Sequence, residues 1–195
     1  LRADLKAAGR TSYDVVAFTH FDNDHVCGAA SFFWLEHASK YQGEGRVKID
    51  ELWVPAWAIT ETRNDLCDDG KIMQAEARYR LKNGARVRVF SRPAKLDAWL
   101  NDNGLTLASR QALITDAGRY VPGWEADNPK GLEFFVHSPF GSRQDDGTYA
   151  DPNQNCLVFQ ATFRDGGSAT RALLMGDTTY ECIADFVRIT KYHSN

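Results

Sequence analysis

Short apolar runs alternate with polar turns along this chain, and the spacing of the apolar positions predicts both strands and helices. Leu1 and Leu5 share one face of an opening helical segment that Gly9 closes. Tyr13-Asp14-Val15-Val16-Ala17-Phe18-Thr19 is mostly apolar and β-branched or aromatic, the composition of a buried strand. The polar hexapeptide HFDNDH ends that strand, and a helix is expected from about 25 to 40 with Ala29, Phe32, Phe33 and Leu35 on its apolar face. Further strands are expected at 50–55, 86–90, 132–137, 156–163 and 171–175. The 86–90 strand alternates arginine with apolar residues, which predicts that it is half-exposed. Helices are expected at 72–81, 95–100, 107–117 and 179–191, with Gly118 to Gly131 a loop and Asp165-Gly166-Gly167 a tight turn. The alternation predicts a layered α/β architecture.

Composition narrows the class. A chain of 195 residues that is 43% hydrophobic and 12% aromatic can bury a sizeable core, which excludes global disorder. Asp+Glu of 26 against Lys+Arg of 23 leaves a net charge of −3, so there is no global attraction to nucleic acid or anionic lipid. No apolar run approaches the roughly 20 residues that cross a bilayer. The opening LRADLKAAGR lacks the apolar stretch of a secretory signal, so a cytoplasmic location without membrane contact is expected. Cys27, Cys67, Cys156 and Cys182 contain no CxxC pair, which argues against a disulfide framework or a cysteine zinc site. Cys27, Cys156 and Cys182 lie in apolar stretches and read as small core residues.

The sharpest chemical feature is His20-Phe21-Asp22-Asn23-Asp24-His25, two imidazoles and two carboxylates at the mouth of a strand. Carboxylates this close repel, and a cation offsets the repulsion. Imidazole nitrogen with carboxylate oxygen suits zinc, and also iron or manganese. The bland alternative is a solvated turn whose Asp caps the next helix. Leu173-Leu174-Met175-Gly176-Asp177-Thr178 ends an apolar strand on a carboxylate, with a glycine that admits a close neighbour. His137 ends a third hydrophobic strand. Three strands that deliver ligand-type residues to one sheet edge are what a metal centre on a β-scaffold requires.

The stretch DVVAFTHFDNDHVCGA resembles the first metal motif of the metallo-β-lactamase-fold hydrolases, and RALLMGDTTYE resembles the later strand that supplies their bridging aspartate. The usual first motif is His-x-His-x-Asp-His, whereas Asp22 stands here in place of the second His. That variant, followed by VHSPFG and NQNCLVFQATF, is most similar to the hydrolase-like domain of the ComEC DNA-uptake (competence) proteins. The resemblance implies an αββα layered sandwich, a single domain over 1–195 with an unassigned, insertion-like stretch at about 56–131. The family's opening strand pair and its final histidine strand have no counterpart, so the chain reads as incomplete at both ends. His193 lies in the closing helix and is not given that missing role.

Carried over by position, the resemblance makes His20, Asp22 and His137 the ligands of one metal and Asp24 and His25 those of a second, with Asp177 bridging both. It implies two zinc ions, with manganese or iron as substitutes, and a metal-bound hydroxide that attacks an ester, Asp24 and Asp177 being the catalytic carboxylates. The expected activity is that of a phosphodiesterase or nuclease acting on nucleic acid or nucleotides. The alternatives are hydrolysis of a small ester, lactone or thioester on the same fold, or a catalytically silent metal-binding or interaction module. Arg78, Arg80, Lys82, Arg86, Arg88, Arg92 and Lys95, interleaved with Tyr79 and Phe90, are able to hold phosphates, but they read equally as a solvated helix face and strand edge, the reading adopted here. Neither GxSxG nor GxxxxGK[ST] is present, so a serine hydrolase or a P-loop enzyme is not supported.

Overall fold

A computed structural model describes residues 1–126 and 128–193, and their side chains up to 189. Two sheets organise the chain, which is of mixed α/β class as expected. The first is parallel, in the order β1 (Ser12–Ala17), β2 (Lys48–Pro55), β3 (Val87–Phe90) and β4 (Ile114–Thr115). The second is antiparallel, in the order β5 (Leu132–Ser138), β6 (Val158–Asp165) and β7 (Ser168–Leu174). Parallel neighbours need crossover connections. Helices α4 (Ala56–Thr60) and α5 (Asp68–Asn83) join β2 to β3, while α6 (Ala94–Asp102) and α7 (Leu107–Arg110) join β3 to β4.

The period of two along β2 and β3 sorts their side chains between two cores. Leu52, Val54, Val87 and Val89 join Met73, Ala77 and Leu81 of α5 and Leu96 and Leu100 of α6 in one buried cluster. Trp53 and Phe90 point the other way, into a second cluster with Val136, Leu157 and Phe159 of the antiparallel half. Ring contacts from Trp53 to Phe159 at 5.8 Å and to Phe134 at 5.2 Å hold the sheets face to face. Helix α9 (Tyr180–His193) lies beyond the second sheet, its Phe186 ring 5.2 Å from that of His137 on β5. Helix, sheet, sheet and helix are therefore stacked in that order. The 56–131 stretch contributes β3 and β4 to the sheet and helices to the main core. No helix among the described residues is long and apolar enough to cross a membrane.

Several expectations change. The 25–40 helix is instead two short ones, α2 (Asn23–Val26) and α3 (Ala29–Phe32), separated where Gly28 adopts φ +83°. The chain beyond is pinned by Glu76 on α5, which accepts from the backbone N–H groups of Glu36 and His37, both at 2.9 Å. The 107–117 helix stops at Arg110, and the chain passes through a 3-10 turn into β4. β3 is buried along its whole length, because it is a central strand between β2 and β4. Arg88 therefore points into protein, where it donates to Glu51 at 3.1 Å. Arg80 is buried too and donates to Glu76 at 2.7 Å, so the basic stretch is not one solvated face. Cys156 and Cys182 are buried but Cys27 is exposed. The 118–131 loop begins by pairing with the outer edge of β5, Gly118 N–H donating to the Val136 carbonyl at 2.8 Å. Side chains at the end of α9, His193 included, lie outside the described residues.

Candidate metal centre

The candidate site lies at the seam between the two sheets. After β1 the chain leaves the parallel sheet, and the Thr19 carbonyl accepts the Leu157 N–H at 3.1 Å, just before β6 begins. After β7 the chain turns at Gly176, which adopts φ +54°. A Cβ at Gly176 would lie 2.7 Å from Thr19 Oγ1. Only glycine lets the two loops approach this closely, as the sequence pattern implied.

Their approach brings four of the six expected ligands together. His20, Asp24 and His25 each offer a ligand atom within 4.8 Å of the others, and theirs is the only such group of three His, Cys, Asp or Glu side chains among the described residues. The His20 and His25 rings stand 4.1 Å apart. Asp177 Oδ1 lies 3.2 Å from His25 Nε2, and Asp24 Oδ2 lies 3.6 Å from the same nitrogen. Asp24 is 72% exposed and Asp177 45%, whereas His20 is buried. The group is thus open to solvent on its carboxylate side.

His20 is oriented from behind. Its Nδ1 lies 3.0 Å from Thr19 Oγ1 and 3.4 Å from Cys156 Sγ, while its Nε2 is buried without a hydrogen-bond partner. A buried ring nitrogen left unpaired is costly unless something else satisfies it. With Nδ1 as the donor, Nε2 keeps its lone pair, which is the tautomer of a metal-ligating imidazole. Burial, and the nearby His25, depress the His20 pKa and keep the ring neutral. Burial pushes the Cys156 thiol up to about 12, so the sulfur is a protonated structural neighbour and not a nucleophile. The donor set and the orphaned Nε2 fit a divalent cation.

Asp22 and His137 stand differently. Asp22 occupies the N-cap position of α2 but makes no capping bond with its side chain. Its Oδ1 accepts from Arg63 Nη2 at 2.5 Å, and its Oδ2 is 3.9 Å from His20 Nε2. Arg63 also pairs with buried Glu61, and these bonds raise its pKa further. The His137 ring packs between Phe135 and Phe186 and lies outside the cluster, and burial depresses its pKa. It stands next to last in β5, at the register shift between Val136 and Ser138, so the expected strand end is found but does not reach the cluster. Thr19, Cys156, Glu61 and Arg63 are the site residues that the sequence pattern did not single out. Comparison of the chain with family models, with curated proteins and with solved structures finds no match.

Proposed function

We propose that this chain is a metal-dependent hydrolase of metallo-β-lactamase-like αββα architecture, acting on phosphodiesters of nucleic acid or nucleotides. The observation that carries the reading is His20, buried with its Nε2 unpartnered, in one group of ligand atoms with Asp24 and His25. The helix–sheet–sheet–helix stacking and the seam position of the site support the architecture. His20, Asp24, His25 and Asp177 would hold the cation, and Asp22 would join them on release from Arg63. A zinc, manganese or iron ion held by these residues would supply water of lowered pKa and an electrophile for a phosphoryl oxygen. Thr19 and Cys156 hold the imidazole, and Gly176 keeps the two loops close enough for Asp177 to reach His25. Exposed Asp24 is placed to exchange a proton with solvent.

A second reading, hydrolysis of a small ester or lactone, is favoured by an apolar cavity of about 500 Å³ beside His25, lined by Val16, Phe18, Phe32 and Phe33. One experiment tests both. Protein reconstituted with zinc is expected to retain the ion by elemental analysis, and His25→Ala and Asp177→Asn to lose it. Turnover of a bis(nitrophenyl) phosphate supports the first reading and turnover of lactones the second. Equal zinc content in wild type and His25→Ala would end both, and retention without any turnover would leave a silent metal-binding module.

A further inference from the structure

Beside the cluster, a cleft of about 440 Å³ is lined by Trp57, Thr60, Glu61, Arg63, Lys95 and Asp151. Arg63 belongs to both places, since it lines the cleft and donates to Asp22, which in turn stands 3.9 Å from His20. We infer that this cleft binds an anionic ligand carrying an aromatic ring, a nucleoside monophosphate or a nucleotide unit of a single strand, with Arg63 and Lys95 on the phosphate and Trp57 against the base. The inference rests on the phosphodiesterase reading for its place beside the cluster, but its chemistry comes from the cleft itself.

The charges decide the sign of the ligand. Four ionisable side chains face the cleft, two acidic and two basic, and Asp22 reaches Arg63 from its edge; all three carboxylates are engaged, which leaves Lys95 as the lining cation that no carboxylate offsets among the described residues. Glu61 is buried and paired with Arg63, and Asp151 Oδ1 accepts the Gln154 N–H at 3.1 Å. Lys95 makes no ion pair among the described residues, and its Nζ stands 5.6 Å from the centre of the Trp57 ring. Arg63 is fixed through Nε and Nη2 by Glu61 and Asp22, so the guanidinium is held in place before any ligand arrives. Pre-oriented guanidinium groups suit phosphate oxygens, and a flat aromatic wall suits a base. An apolar acyl chain finds neither need met here; its counterpart is the cavity beside His25.

The test is equilibrium dialysis against thymidine 5′-monophosphate, thymidine and inorganic phosphate, in EDTA so that the metal reading is not involved. Thymidine 5′-monophosphate is expected to bind saturably and more tightly than either fragment. Arg63→Gln and Lys95→Gln are each expected to weaken it about tenfold, the effect of losing one charge-assisted contact. Lys82→Gln, on α5 against Trp99, is expected to bind as wild type. Thymidine bound as tightly as its phosphate, or Lys95→Gln indistinguishable from wild type, would overturn the inference. Should Arg63→Gln fail to fold by circular dichroism, exposed Lys95 decides alone. Loss of zinc binding with nucleotide binding intact would sink the hydrolase reading and leave this one standing.

Discussion

The two sheets are built to different degrees of closure. In the parallel half, Leu52, Trp53 and Val54 of β2 and all of β3 are buried, and helices cover the outer face. In the antiparallel half, β7 hydrogen-bonds only to β6 among the described residues, and Phe163, Leu173 and Leu174 are each nearly half exposed. The contrast separates strands held by burial on two faces from a strand held chiefly by its ladder. The candidate centre draws on both kinds, because His20 follows β1 and Asp177 follows β7. Its geometry is therefore only as firm as the docking of the less-buried half.

The sharpest break of this comparison is a pair of truncations. Trp53→Ala is expected to cost about 3–5 kcal/mol, as large core deletions do. Leu174→Ala is expected to cost within about 1 kcal/mol, as for surface positions. Urea titrations of both variants check the contrast, and similar losses would erase it. Next comes the interior of the parallel half. Glu76→Gln strips buried Arg80 of its nearer carboxylate, leaving only Glu36 at 3.5 Å, and should cost about 3 kcal/mol, because a buried charge that loses its close partner is expensive. Burial favours protonation of Glu76, but the Glu36 amide, Arg80 and His37 outweigh it and hold the pKa below the usual range.

Gly176→Ala tests the seam. A left-handed φ for alanine and a clash with Thr19 are expected to cost about 1–3 kcal/mol and to weaken zinc retention with it. Calorimetry and metal content read the two effects. The smallest effect concerns pH. His137 on β5 has a folded pKa below the unfolded value of about 6.5. The unfolded chain then binds the proton first, so this stability is complete above about 6.5 and is lost as pH falls toward the folded pKa. In EDTA, His137→Leu is expected to flatten the fall in urea midpoint between pH 7.5 and 5.5.

Legibility followed distance along the chain. HFDNDH and the Gly-Asp turn were readable because each places its own chemistry within a few residues, and Gly176 does admit Thr19 as a neighbour. Arg88 was misread as half-exposed because alternation marks which side a residue faces, not what covers that side; here β4 and Glu51 do. The Gly28 break was missed because its N–H donates to Asp69 at 2.6 Å, a partner 41 residues away. The same holds for Arg63 with Asp22, and for Cys156 with His20 across 136 positions. No local pattern announces a partner that only the fold supplies.

Cys156 gives the molecule a built-in clock. Thiolate is what attacks an alkylating reagent, and a thiol pushed up to about 12 and sealed behind His20 offers almost none while the loops stay closed. Exposed Cys27 meets the reagent at once. The lag between the two labels therefore times the parting of the two loops, without any substrate.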